Sequence, residues 1–215
     1  EPAPAASRWS AQRAQMDDAM RAQWLVATDP RTNWLAGTLD ADDPAAQVAR
    51  LAAARVAVPA ERLFVASLAT ACLAPVRPWP AECDATDRLA DWATRDVDNG
   101  VPSLLLADRA RQRNNAAALL AYLDEAAQRP RFDDYRNRGA HVIWEEVRAL
   151  AGAYDPAARA LLAASYGALW TPFATGAIDA LCRDGRAPTD AIRAACAAAG
   201  NALAQRAATW SLRIA

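Results

Sequence analysis

Apolar side chains recur along this chain at steps of three and four, the period of an amphipathic helix, and no stretch shows the alternation of a half-buried strand. Trp9, Arg13, Met16, Met20, Trp24 and Ala27 trace one stripe and predict a helix over 7–27, ended by Asp29-Pro30, with Asn33-Trp34-Leu35 leading into a loop. Asp43-Pro44, a capping carboxylate followed by proline in the first helical position, starts a helix that runs to Val58. Pro59 starts the next at once, with Leu63, Phe64, Leu68 and Cys72 on its buried side. Pro75, Pro78 and Pro80 make the following segment irregular, and Asp84 and Asp87 then cap a helix carrying Leu89 and Trp92.

The clearest stretch is 89–130. It predicts helices over 89–96, 101–113 and 116–129, punctuated by Asp98-Asn99-Gly100 and Asn114-Asn115 and closed by Pro130. Beyond it, a long helix is expected from Phe132 to Gly152, with Tyr135, Val142, Ile143, Val147 and Leu150 on its apolar face. Asp155-Pro156 and Thr171-Pro172 repeat the cap-then-proline start for helices to Trp170 and Arg183. A last helix from Thr189 carries Ile192, Cys196, Ala199, Leu203, Trp210 and Ile214 in a near-heptad stripe that is still apolar where the chain stops. The expectation is all-α: about ten antiparallel helices stacked as hairpins, with a flexible start over 1–6 and one helical-repeat-like domain over 7–215.

Asp96-Val97-Asp98-Asn99, followed by Leu106-Ala107, Ala110, Asn114, Leu123 and Ala126, resembles one tetratricopeptide repeat, in which such a turn precedes two closely packed helices. Val97 stands where that family usually has proline, Leu119 where it has alanine, and Ser103 where it often has a large residue. Asp29-Pro30 and Asn33-Trp34-Leu35-Ala36 echo the start of a repeat before Gly37 departs from the pattern. The resemblance, and a general likeness to exported bacterial proteins with such repeats, implies a periplasmic or lipoprotein-like scaffold built as an α-solenoid or irregular helical array; it implies no activity.

Composition narrows the chemistry. A formal net charge of -1 over 215 residues argues against a general polyanion binder, so no nucleic-acid partner is expected. All 24 basic residues are arginine, which excludes Schiff-base lysines, phosphate-cradling GxxxxGK[ST] loops and SxxK nucleophiles. With a single histidine, His141, multi-histidine metal sites are impossible, and neither a metal nor a cofactor is expected. No apolar run is long enough to span a membrane. Cys72, Cys83, Cys182 and Cys196 fall into two sequence-local pairs without CxxC spacing. Pairing Cys72 with Cys83 and Cys182 with Cys196 predicts two disulfides, each able to contribute roughly 3 kcal/mol by closing a short loop. Together with the Pro/Ala-rich start at Glu1, this points to a periplasmic or secreted bacterial protein whose signal peptide has been removed.

Candidate chemistry is sparse. His141 and Glu145 share a helix face and could form a base with its orienting carboxylate. The adjacent carboxylates Asp42-Asp43, Asp133-Asp134 and Glu145-Glu146 point about 100° apart on a helix, so no such pair faces one cleft by itself. Arg109, Arg111, Arg113, Arg129, Arg131, Arg136 and Arg138 cluster near the 101–129 hairpin, where acidic neighbours can pair with them. The reading is therefore a non-enzymatic exported scaffold that binds a protein or peptide partner through a surface including Arg109, Arg113, Arg131, Tyr135 and Arg138. The alternatives are an immunity-type inhibitor of a secreted toxin and a small cell-envelope glycan hydrolase with Glu145 or Glu146 as its acid.

Overall fold

A computed structural model of the chain describes residues 5–39, 43–73, 83, 88–149, 154–169, 182 and 189–208. Among the described residues there are ten helices and no strand beyond two isolated bridges, so the fold is all-α. In chain order the helices are α1 (Ala5–Val26), α2 (Pro30–Leu39), α3 (Pro44–Ala57), α4 (Arg62–Ala71), α5 (Arg88–Arg95), α6 (Val101–Gln112), α7 (Ala116–Gln128), α8 (Arg136–Ala149), α9 (Pro156–Leu169) and α10 (Asp190–Arg206). The helices gather into two compact units, Glu1–Glu82 with Arg136–Thr171 and Cys83–Tyr135 with Pro172–Ala215. Each unit is discontinuous in sequence, so no linker composition marks the division.

In the first unit α1 packs on α2 and α9, α2 on α3, α3 on α4, and α8 on α9. Met16, Met20 and Trp24 are buried along α1, as the stripe predicts. The expected loop at Asn33-Trp34-Leu35 is instead the middle of α2. Asp29 accepts the Thr32 amide at 3.0 Å and Pro30 opens the helix, the cap-then-proline start that also begins α3. Trp34 is fully buried, stacks on Phe64 with centroids 6.2 Å apart, and donates from Nε1 to Ser67 Oγ at 2.8 Å. A side chain at Gly37 would meet the Gln47 carbonyl at 2.9 Å, so glycine is what permits α2 to lie so close to α3. α4 starts later than Pro59, because the Glu61 side chain accepts the Leu63 amide at 3.2 Å.

In the second unit α6 packs on α5 and α7, and α7 on α10. The α6–α7 turn follows from its asparagines. Asn114 takes the left-handed conformation with φ 55°, its amide donates to the Arg111 carbonyl, and the Asn115 amide reaches back to the Ala110 carbonyl at 2.8 Å. The Asn115 side chain then caps α7 through the Ala118 amide. The helix expected from Phe132 begins only at Arg136, since Phe132 to Tyr135 are held in extended and left-handed backbone by contacts elsewhere in the unit. Phe132 donates to the Arg206 carbonyl and accepts from the Ala208 amide, which ends α10 at Arg206 although the apolar stripe continues. On the other side Gly100 donates to the Arg131 carbonyl at 2.9 Å.

Cys182 and Cys196 form a disulfide, with Cα atoms 5.5 Å apart, and Cys72 and Cys83 are likewise disulfide-bonded; no cysteine among the described residues is free. Such bonds belong to an oxidising environment. No described helix is long and apolar enough to cross a membrane. The expected proline-rich loop, its Trp79 and the Asp84/Asp87 cap lie outside the described residues, as do Leu150, the 171–183 helix apart from Cys182, Trp170, Trp210 and Ile214.

Two stability predictions follow from this architecture. A Cβ at Gly100 would lie 2.3 Å from the Phe132 ring, so Gly100→Ala should cost about 1–3 kcal/mol in urea unfolding, and Phe132→Leu should recover part of that loss in the double variant. Intact-mass measurement should find four alkylatable thiols only after reduction, and reductant should lower the thermal midpoint, as expected for a 14-residue separation at Cys182–Cys196 worth about 3 kcal/mol. Thiols that react in the unreduced native protein would contradict this pairing.

Candidate functional site

Two clusters of polar side chains stand out, one in each unit. The first surrounds a cleft of about 580 Å³ lined by Asp29, Pro30, Arg31, Val58, Glu61, Leu63, Phe64, Arg138, His141, Val142 and Glu145. Its volume lies within the range of small-ligand and side-chain pockets. The capping logic above builds one wall. Asp29 and Arg31 come with the first turn of α2, while Val58 and Glu61 come with the α3–α4 turn. The opposite wall is the face of α8 that carries Arg138, His141, Val142 and Glu145 at helical steps of three and four.

Ion pairs rim this cleft. Arg31 binds Glu145 Oε2 at 2.8 Å, reaches Glu146 Oε1 from Nε at 2.9 Å, and donates to the Val142 carbonyl at 3.2 Å. Glu145 and Glu146 point apart on the helix; the Arg31 guanidinium hydrogen-bonds Glu145 and lies within ion-pair distance of Glu146. Arg138 binds Glu61 Oε2 at 2.5 Å, the same carboxylate that caps α4. His141 Nε2 lies 3.2 Å from Glu145 Oε1, so the pair expected from sequence does meet. The Arg31 hydrogen bond holds the Glu145 carboxyl below the ordinary carboxylate range, and the hydrogen bonds from Thr32 do the same for Asp29. An ionised Glu145 can orient a histidine, but it is poorly suited to the general-acid role in glycoside hydrolysis, which needs a raised pKa. Among the described lining residues there is no serine, threonine or cysteine to serve as a nucleophile.

The second cluster centres on Asp96, which is fully buried. Its Oδ2 accepts from Tyr135 OH at 2.7 Å, Asn99 Nδ2 at 2.8 Å and Trp92 Nε1 at 3.2 Å, while Arg131 pairs with Oδ1. Asn99 completes the network. Its Nδ2 also donates to the Asp133 carbonyl, and its Oδ1 accepts the Asp133 and Val101 amides. Both Nδ2 partners are acceptors and both Oδ1 partners are N–H donors, which fixes the amide orientation. Tyr135, with φ 60°, is held by the Asp133 carboxylate on its amide, and its hydroxyl accepts from Arg131 at 3.1 Å. Burial first, and then the hydrogen bond to Asp96, push the Tyr135 hydroxyl up to about 12.

The residues expected to recognise a partner are thus dispersed. Arg131 and Tyr135 belong to the buried network around Asp96, Arg109 is half-buried on α6, Arg113 is exposed at its C-terminal end, and Arg138 lies in the first unit on the cleft. Of the tryptophans, Trp34 is core, and Trp144, at 40% exposure, is open on α8. Among the described residues no cluster of His, Cys, Asp or Glu could hold a metal ion. Asp29, Arg31 and Glu61 escaped the reading by sequence. Asp29-Pro30 could have revealed α2, since Asp43-Pro44 was read as a helix start, but nothing local announces a contact between Arg31 and Glu145.

The Asp96 network yields a mutational and a pH prediction. Removing the carboxylate in Asp96→Ala leaves a tryptophan, an asparagine and a tyrosine donor unsatisfied beside a partly exposed guanidinium. It should cost about 3–5 kcal/mol in denaturant unfolding. Because the Tyr135 hydroxyl keeps its proton to about 12 when folded and to about 10 when unfolded, its contribution is intact below pH 10 and shrinks as pH rises above it. Stability measured above pH 10 should therefore fall more steeply in the native protein than in Tyr135→Phe. The native-minus-variant absorbance difference should show this phenolate forming near 12.

Comparison with known proteins gave no match among family models, curated proteins or solved structures.

Proposed function

We propose that the chain is a non-enzymatic helical scaffold of the tetratricopeptide-like kind, exported to an oxidising compartment, where it binds a protein or peptide partner in the cleft between α2, α4 and α8. The observation that carries this reading is the cleft itself, with Val58, Leu63, Phe64 and Val142 behind a rim of paired charges. Such a wall offers apolar area to a partner side chain, and the rim fixes its orientation, the usual division of labour at a recognition site. An immunity-type inhibitor would be one form of the same activity, with a secreted toxin as the partner.

The other reading, a small envelope-glycan hydrolase, draws on the His141–Glu145 contact at the cleft. It is weaker because Glu145 is held ionised by Arg31 and because His141 is 68% exposed, without the water-excluding enclosure that strengthens such pairs. The two readings separate experimentally. The immobilised protein should retain a partner from a periplasmic extract, Val142→Trp should abolish that retention by filling the cleft, and circular dichroism should be unchanged. Purified envelope glycan should be left intact by the native protein; turnover that disappears in both His141→Ala and Glu145→Gln would replace the scaffold with the hydrolase.

A further inference from the structure

Resting on that reading of the cleft, we propose that its partner is basic: a peptide segment whose arginine or lysine lays its alkyl stem on the apolar wall and sets its cationic head among Asp29, Glu61 and Glu145. Among the lining residues three carboxylates face two guanidiniums, and Glu146 takes a further share of Arg31. The carboxylates of the lining outnumber its guanidiniums, so the cleft carries a negative excess. Both guanidiniums are already occupied, Arg31 by two glutamates and a backbone carbonyl and Arg138 by Glu61.

An acidic ligand would therefore have to displace a glutamate from an arginine and then lie beside that displaced carboxylate. A basic ligand displaces nothing: it adds a cation beside the carboxylates, at an exposed rim where Glu145 is 44% and Arg138 is 58% open. Val58 and Val142 are accessible on either side of the deeper Leu63 and Phe64. They suit the methylene stem of arginine or lysine, which buries its carbons along apolar surface while the charged end stays at the rim.

The test uses the full chain and three labelled peptides of repeating Leu-Arg-Ala, Leu-Gln-Ala and Leu-Glu-Ala, followed by fluorescence anisotropy. The Leu-Arg-Ala peptide should bind, and its affinity should fall with added salt. Glu145→Gln should weaken it about threefold and Val142→Arg should abolish it, while Asp190→Asn, remote in sequence and on an exposed helix start, should leave it unchanged. Equal binding of Leu-Gln-Ala, or tighter binding of Leu-Glu-Ala, that is lost in Val142→Arg would overturn the basic preference but keep the cleft as a peptide site. Binding of Leu-Arg-Ala that ignores both cleft substitutions would overturn the placement, and failure of all three peptides would overturn the peptide reading along with the preference.

Discussion

One buried carboxylate organises the second unit. Asp96 has no contact with solvent, and a carboxylate so placed is tolerable only if donors replace its hydration shell. Those donors come from three places in the chain: Trp92 and Asn99 next to it, and Arg131 and Tyr135 more than thirty residues on. Satisfying Asp96 therefore fixes where the segment after α7 must run. That segment passes beside the Asp98–Gly100 turn on one side and the end of α10 on the other, through pairs of backbone hydrogen bonds. The start of α8 at Arg136, the end of α10 at Arg206 and the need for glycine at position 100 all follow from the same placement.

How much of this could be read in advance depends on whether the signal was local. Helix existence and most boundaries were legible because capping side chains, prolines and the asparagine turn act within four residues. Asp43, Asn115 and Thr189 cap the helices they were expected to start or flank, and Asn114 takes the left-handed turn. The errors fall where long-range contacts win. The long-helix expectation put Tyr135 on an apolar helical face, but its hydroxyl serves a carboxylate 39 residues earlier, and that geometry holds its backbone at φ 60°. The apolar stripe beyond Leu203 continues on paper, but Phe132 takes the Arg206 carbonyl and the helix stops. At Asp29-Pro30 the difference is of another kind, since the proline after the capping residue opens α2 instead of ending α1.

The two polar clusters show why similar residues carry different meanings. Around Asp96 nearly every donor and acceptor is buried, and removing one leaves its partners without water to replace it. Around Arg31 and Arg138 the same kinds of residues are open to solvent, where each pair contributes little to stability. Arg131 and Tyr135 belong to the expected recognition surface through the arginine cluster near the 101–129 hairpin, and that pattern of charges gives no measure of burial. Accessible charge over an apolar wall is what a binding site needs; locked charge is what a fold needs.

The absence of lysine also acquires a physical side. Arg31 hydrogen-bonds Glu145 and the Val142 carbonyl while lying 2.9 Å from Glu146, Arg111 places two nitrogens on one Asp108 oxygen, and Arg206 gathers the carbonyls of Ala127 and Arg129. Arg131 at once pairs with Asp96, donates to the Tyr135 hydroxyl and lies 5.8 Å from that ring. A planar fork with five donors can hold several acceptors in fixed directions, whereas an ammonium is a compact point charge. Whatever base composition favours arginine in the coding sequence, helices joined by such multi-pronged contacts have come to depend on it, and a lysine at position 31 or 131 would keep the charge while losing most of the directions in which it is used.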